Sequence, residues 1–190
     1  MKIVFAVIAA LIGVLAFLPY FRDIFRLKTK PHIYTWLIWA ITQTTAIVGI
    51  IRGGGSWGAL NLIVGTVFVV GIFLFSFKYG SKNITRQDTF VLFAALGAIL
   101  VWWQLDKLTL AVIMVSIIDV LGYFPSFRKV YQEPWSETLS SWLLFSVSNI
   151  FAIMALDKYN LLTVTYLTLI SLANIVMFLI CFVRRRSIPK

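Results

Sequence analysis

LAFLPYFRDIFRLKTKPHIYTWLIWAITQTTAIVGI, residues 15–50, is the stretch from which the rest of the chain can be read. An apolar run ends at Pro19. A basic segment follows (Arg22, Arg26, Lys28, Lys30), and a second apolar run opens with Trp36. The same order returns 106 residues later without a gap. Pro125 falls on Pro19, Phe127 on Phe21, Arg128 on Arg22, Trp142 on Trp36 and Leu143 on Leu37. Inside the second run Trp36, Trp39 and Gln43 face Trp142, Phe145 and Asn149. Positions i, i+3 and i+7 share one helical face. The chain is therefore an internal duplication.

Composition sets the solvent. Of 190 residues, 61% are hydrophobic and 13% charged, more apolar surface than a soluble domain of this length can bury. The net charge of +10 is spread over short segments between apolar runs, not along one stripe, so no nucleic-acid partner is expected. The one cysteine, Cys181, cannot form an internal disulfide and has no metal-site spacing. The one histidine, His32, is expected to be a solvated loop residue.

Seven runs are long and apolar enough for spanning helices: 3–21, 34–52, 57–77, 87–104, 108–127, 139–156 and 160–183. The first carries half of the repeat and no small-x-small cleavage site, so it is read as a retained helix. Lys and Arg alternate by side. One side holds thirteen (Arg22, Arg26, Lys28, Lys30, Lys78, Lys82, Arg86, Arg128, Lys129, Arg184, Arg185, Arg186, Lys190) and the other holds four (Lys2, Arg52, Lys107, Lys158). That bias predicts the N-terminus outside and the C-terminus in the cytoplasm. The opposite connections are short: Arg52 to Trp57 through Gly53–Gly55, Leu105-Asp106-Lys107, and Leu156 to Asn160. The Arg184–Arg186 run is expected to be a topology anchor that touches lipid headgroups. Short loops and no transit-type leader fit a prokaryotic inner (plasma) membrane.

The duplication then predicts the architecture. It is all-α and membrane-embedded, with a first three-helix bundle over 1–80, a linker helix over 81–105 and a second bundle over 106–190. One helix between the bundles leaves them parallel, related by an axis along the membrane normal. A proline near the inner helix end, a basic loop and an aromatic helix with an amide resemble the PQ-loop superfamily of SWEET and SemiSWEET sugar transporters and lysosomal amino-acid exporters. The resemblance covers the whole chain. The signature Pro-Gln reads Pro19-Tyr20 and Pro125-Ser126 here, so the proline stands twice and the glutamine not at all. The resemblance implies alternating access, with the two prolines as hinges. Proline removes a backbone hydrogen bond and crowds the preceding turn, which either loosens a helix or ends it.

No catalytic or metal-ligating grouping is present, so neither an enzyme nor a cofactor is expected. Polar residues inside the apolar runs are the informative ones, because they must face the bundle or a wet cavity. Gln43 and Asn149 are repeat equivalents. They either contact a neutral polar solute or tie helices together. Trp39 is the cavity candidate among the tryptophans, while Trp36 and Trp142 stand at interface depth as anchors. Where SWEET-type proteins carry a stacking tryptophan, this chain has Ala46-Ile47-Val48 and Ala152-Ile153-Met154. Asn61 and Asn174 resemble the paired asparagines that hold the solute in the family, Asn174 lying deeper than Asn61. Asp119 is the one carboxylate in the interior of an apolar run, and its repeat equivalent is Gly13. Lysosomal members similarly carry an acidic residue there for proton coupling. The alternative is an Asp bonded to Ser116 or to a facing helix.

The reading that gathers these residues is a transporter of a small polar solute, sugar or amino-acid-like, with or without proton coupling through Asp119. Membrane lipids are the other expected partner, and a homo-oligomer is compatible. Two alternatives stand beside it: a vitamin or nucleoside carrier of similar bundle, resembling nicotinamide riboside channels, and a non-transporting seven-helix receptor or scaffold.

Overall fold

The computed structural model describes residues 1–81, 84–105 and 107–188, and the side chains of all of these except 95, 98, 99, 101–105 and 125. Lys82, Asp106 and Lys190, used above in reading charge and loops, lie outside the described residues, as does the side chain of Pro125. The described chain is helical: α1 (Lys2–Phe25), α2 (Ile33–Arg52), α3 (Leu60–Tyr79), α4 (Arg86–Leu105), α5 (Leu108–Gly122), α6 (Phe124–Gln132), α7 (Leu139–Met154) and α8 (Leu161–Ser187). Among the described residues, five stretches are long and apolar enough to cross a membrane: α1, α2, α3 with its preceding 3-10 turn, α5 with α6, and α8. The apolar α7 is shorter, at 16 residues.

The helices close into a ring. Helix α3 packs on both α1 and α2, and α8 packs on both α5 and α7. The ring is completed by α1 against α7 and by α2 against α5. Helix α4 lies outside it, on α5 and α2. Each contact within the ring has a counterpart when α1, α2 and α3 are set against α5, α7 and α8.

Small side chains make the close approaches. In lipid, association rests on packing between helices because the acyl chains are as apolar as the side chains. Along α1, Ala6, Ala9, Gly13 and Ala16 form one buried stripe. The opposite face shows Val4, Val7, Leu11, Leu15 and Leu18, each about half exposed. The result is an apolar exterior with the polar side chains turned inward. Where α2 meets α5, a Cβ at Gly49 would overlap Val112, so glycine fixes that spacing.

The two prolines are not structurally equivalent. Helix α1 runs through Pro19 and continues to Phe25, so Pro19 does not end its helix. In the second repeat the helix breaks before the proline. Tyr123 separates α5 from α6, its amide turning to Val120 O at 3.1 Å, and Pro125 lies in the first turn of α6.

Two polar residues depart from expectation. His32 is buried, with Nε2 3.5 Å from Asp88 Oδ2 on α4, rather than solvated. Asp88 also accepts from the Thr85 amide at 2.8 Å, which caps α4. The pair ties the start of α2 to the start of α4, a long-range contact that loop composition does not reveal. Of the arginine run, Arg184 donates to Tyr131 O at 2.9 Å and Arg185 to Pro134 O and Glu137 O at 3.0 and 2.6 Å. Two of the three guanidiniums thus bond to the chain's own carbonyls.

Candidate functional site

The ring encloses a narrow cavity of about 50 Å³, to which α1, α2, α3, α7, α8 and Tyr123 all contribute. Trp39, Gln43, Asn61, Asn149 and Asn174 all line it. At about 10–15 Å³ per water, that volume holds only a few waters. No charged side chain is in its lining among the described residues.

The upper part, towards the start of α3, is an amide cluster. Asn61 Nδ2 donates to Asn149 Oδ1 at 3.1 Å. Ser148 Oγ stands 2.9 Å from Asn61 Oδ1 and 2.8 Å from Ala9 O. Gly13 opens the space for it, because a Cβ there would lie 2.8 Å from Asn61 Oδ1. Gln43 Oε1 accepts from Thr66 at 3.1 Å. Lower down, Asn174 Oδ1 accepts from Tyr123 Oη at 2.8 Å. Asn61 and Asn174 thus serve different levels, as the deeper placement of Asn174 implied. The amide nitrogens of Gln43, Asn149 and Asn174 make no hydrogen bond among the described residues. Three amide groups with unspent N–H donors therefore sit on residues of one cavity wall.

The lower wall is aromatic. Trp39 packs 4.5 Å from Tyr123 and 4.9 Å from Trp36, and Trp142 lies 6.1 Å from both Trp39 and Tyr123 (centroid distances). Tyr20 sits beneath, 5.2 Å from Trp36. Trp36 and Trp142 are therefore not interface anchors. They are 2% and 1% exposed and line the cavity. Depth along a helix does not set azimuth: both share the face of Gln43 and Asn149, and that face turns into the ring. Offset and edge-to-face ring pairs of this kind add about 0.5–1.5 kcal/mol each beyond area burial.

Below the aromatic layer, side-chain bonds link the helices at the basic end. Thr138 donates to Asp23 Oδ2 at 2.9 Å and lies 2.9 Å from Thr29 Oγ1. Lys129 pairs with the buried Glu137. These bonds join the end of α1 and α6 to the start of α7.

Asp119 is 1% exposed and lies behind the cavity wall, outside its lining. Its Oδ1 accepts from Thr42 on α2 and from Tyr166 on α8, the latter at 2.8 Å. Its Oδ2 is buried without a partner among the described residues. Ser116 instead bonds to Val112 O at 2.6 Å, so of the sequence alternatives only the facing helices bond to the carboxyl. Trp39 Nε1 lies 3.4 Å from the Asp119 carbonyl, which connects the cavity wall to the segment that carries the carboxylate.

Sequence reasoning missed Tyr123, Thr42, Ser148 and Tyr166. Three of them had a usable signal. Tyr123 is the repeat equivalent of Phe17, which also lines the cavity, and Ser148 and Thr42 adjoin Asn149 and Gln43. Tyr166 had none, since nothing local pairs it with Asp119, 47 residues away. Comparison with protein-family models, with characterised proteins and with solved structures finds no match for this chain.

Proposed function

We propose that this chain moves a small, neutral, polar solute across a membrane by alternating access. In this reading α1–α3 form one three-helix unit, α5 with α6 as one broken helix together with α7 and α8 form the other, parallel to it, and α4 is their linker, a PQ-loop-like 3+1+3 arrangement. The neighbour order α1–α3–α2, repeated as α5–α8–α7, supports it. The single observation that carries the function is the convergence of Trp39, Gln43, Asn61, Asn149 and Asn174 on one uncharged cavity. A zwitterion or ion would need charges that this wall lacks. Unspent amide donors suit hydroxyl or carbonyl oxygens, and the aromatic floor suits the face of a sugar ring. A planar nucleoside or vitamin ring is the second reading, favoured by the four clustered rings Trp36, Trp39, Tyr123 and Trp142.

A cavity with room for only a few waters takes such a solute when the ring opens. The bonds at the basic end are the ones to break there, with Pro19 and the Tyr123–Pro125 break as the points of bending. Asp119 would make that opening proton-sensitive. Thr42 has one hydroxyl proton and two acceptors in reach, Trp39 O at 3.3 Å and the Asp119 carboxyl. A neutral Asp119 supplies its own donor and an ionised one does not, so the α2–α5 contact changes with its protonation.

The test is ligand-induced thermal stabilisation across neutral sugars, nucleosides and amino acids, followed by uptake into proteoliposomes. A neutral ring compound should stabilise the protein and be taken up, and Asn149→Ala should weaken both effects. Stabilisation only by charged solutes, or peptide binding without any flux, would displace this reading in favour of a different carrier or a receptor.

A further inference from the structure

A second cavity, of about 460 Å³, lies at the basic end, between the α1–α2 connection, the end of α3 and α6 with the turn behind it. Its lining brings Lys30, Lys78, Arg128 and Lys129 together against one carboxylate, Glu133. Lys129 is neutralised by Glu137. Lys30, Lys78 and Arg128 are exposed and have no carboxylate at ion-pair distance among the described residues. Three cations without an ion pair, set against the single carboxylate Glu133 on one concave wall, leave a net positive potential that draws an anion.

The surroundings select which anion. Arg128 and Gln132 also border an adjoining cleft of about 340 Å³ between α6 and α8, walled by Phe124, Phe127, Tyr131 and Ile180. Phe124 and Tyr131 are 51% and 57% exposed. A charged hollow thus runs into an apolar cleft through Arg128 and Gln132. A free phosphate would use the cations and leave the cleft empty, whereas a phospholipid uses both.

We propose that Lys30, Lys78 and Arg128 hold the phosphate of an anionic phospholipid, with an acyl chain along Phe124, Phe127 and Ile180. The site joins segments of both halves of the duplication. A lipid bound there braces the basic end of the ring.

The test uses the full chain in bilayer discs of phosphatidylcholine with and without phosphatidylglycerol, reading retained lipid by native mass spectrometry and the unfolding midpoint in parallel. Phosphatidylglycerol should be retained preferentially and raise the midpoint. Lys30→Gln with Arg128→Gln should weaken retention about thirtyfold, roughly fivefold for each cation near a membrane surface. Lys30→Arg with Arg128→Lys should keep it, which separates charge from folding, and Lys107→Gln at the opposite end should leave it unchanged. Undiminished retention in the double Gln variant would overturn the site, as would equal loss in Lys107→Gln. Stabilisation by inorganic phosphate in detergent equal to that by phosphatidylglycerol would overturn the lipid assignment.

Discussion

Gly13→Ala should destabilise this protein although it adds a better helix former. In a helix interior the change is worth up to about 1 kcal/mol in favour of alanine. Here the new methyl would stand 2.8 Å from Asn61 Oδ1 and 3.2 Å from Ser148 Oγ. Asn61 must swing away, losing its contact with Ser148 at 2.9 Å and its bond to Asn149 at 3.1 Å. Leaving a buried polar group unpaired costs about 1–3 kcal/mol. Crowding adds a similar amount where the neighbours cannot move. The loss outweighs the propensity gain, for a net cost of about 2 kcal/mol. In a chain of this length that lowers the midpoint by roughly 5 °C. The assay is thermal unfolding in detergent micelles, run as a double-mutant cycle with Asn61→Ala. Without the amide only the Ser148 contact at 3.2 Å remains, so the cost of Gly13→Ala should fall to near zero, with a coupling of about 1–3 kcal/mol. An equal midpoint drop in both backgrounds would refute the argument, because the cost would then lie outside the amide cluster.

Three further outcomes are expected. Asp119→Asn should abolish the pH dependence of proteoliposome uptake, and an unchanged pH profile would move the coupling group elsewhere. Asn160→Ala should lower stability by about 1 kcal/mol, since its side chain caps the Leu162 and Thr163 amides at 3.0 and 3.2 Å. Hydrogen exchange should speed up at those two amides, and protection equal to wild type there would count against the cap. Asp88→Ala removes both the Thr85 cap and the His32 contact. It should speed exchange in the first turn of α4 while leaving solute binding at the central cavity intact, and a loss of binding would mean that α4 shapes the site.

Much of the candidate site was legible because the duplication marks it. The face that runs Trp36, Trp39, Gln43 in one copy and Trp142, Phe145, Asn149 in the other turned out to be the cavity face. Asn61 and Asn174 were harder to place. Their positions along α3 and α8 follow from the helix boundaries, but their partners, Asn149 and Tyr123, come from other helices. The misplaced residues share one cause. Trp36 and Trp142 were placed by depth, and His32 by the polarity of its loop, whereas azimuth and a contact from another helix decided both cases.

What the sequence determines by itself is what hydropathy, charge and repetition carry. These are the apolar helices and their approximate ends, the duplication, and the choice of Asp119 as the carboxylate buried among apolar neighbours. Each depends on residues close in sequence or on one fixed offset. Only the tertiary structure decides that Asp119 stands behind the cavity wall, held by Thr42 and Tyr166 rather than facing the cavity. It also decides that the prolines act on one continuous and one broken helix, and that the basic loops gather into one hollow. The physical reason is that these outcomes depend on how each helix is rotated and which neighbour it meets. That is settled by packing small residues such as Gly13 and Gly49 against other helices, whose identity no local pattern in the chain records.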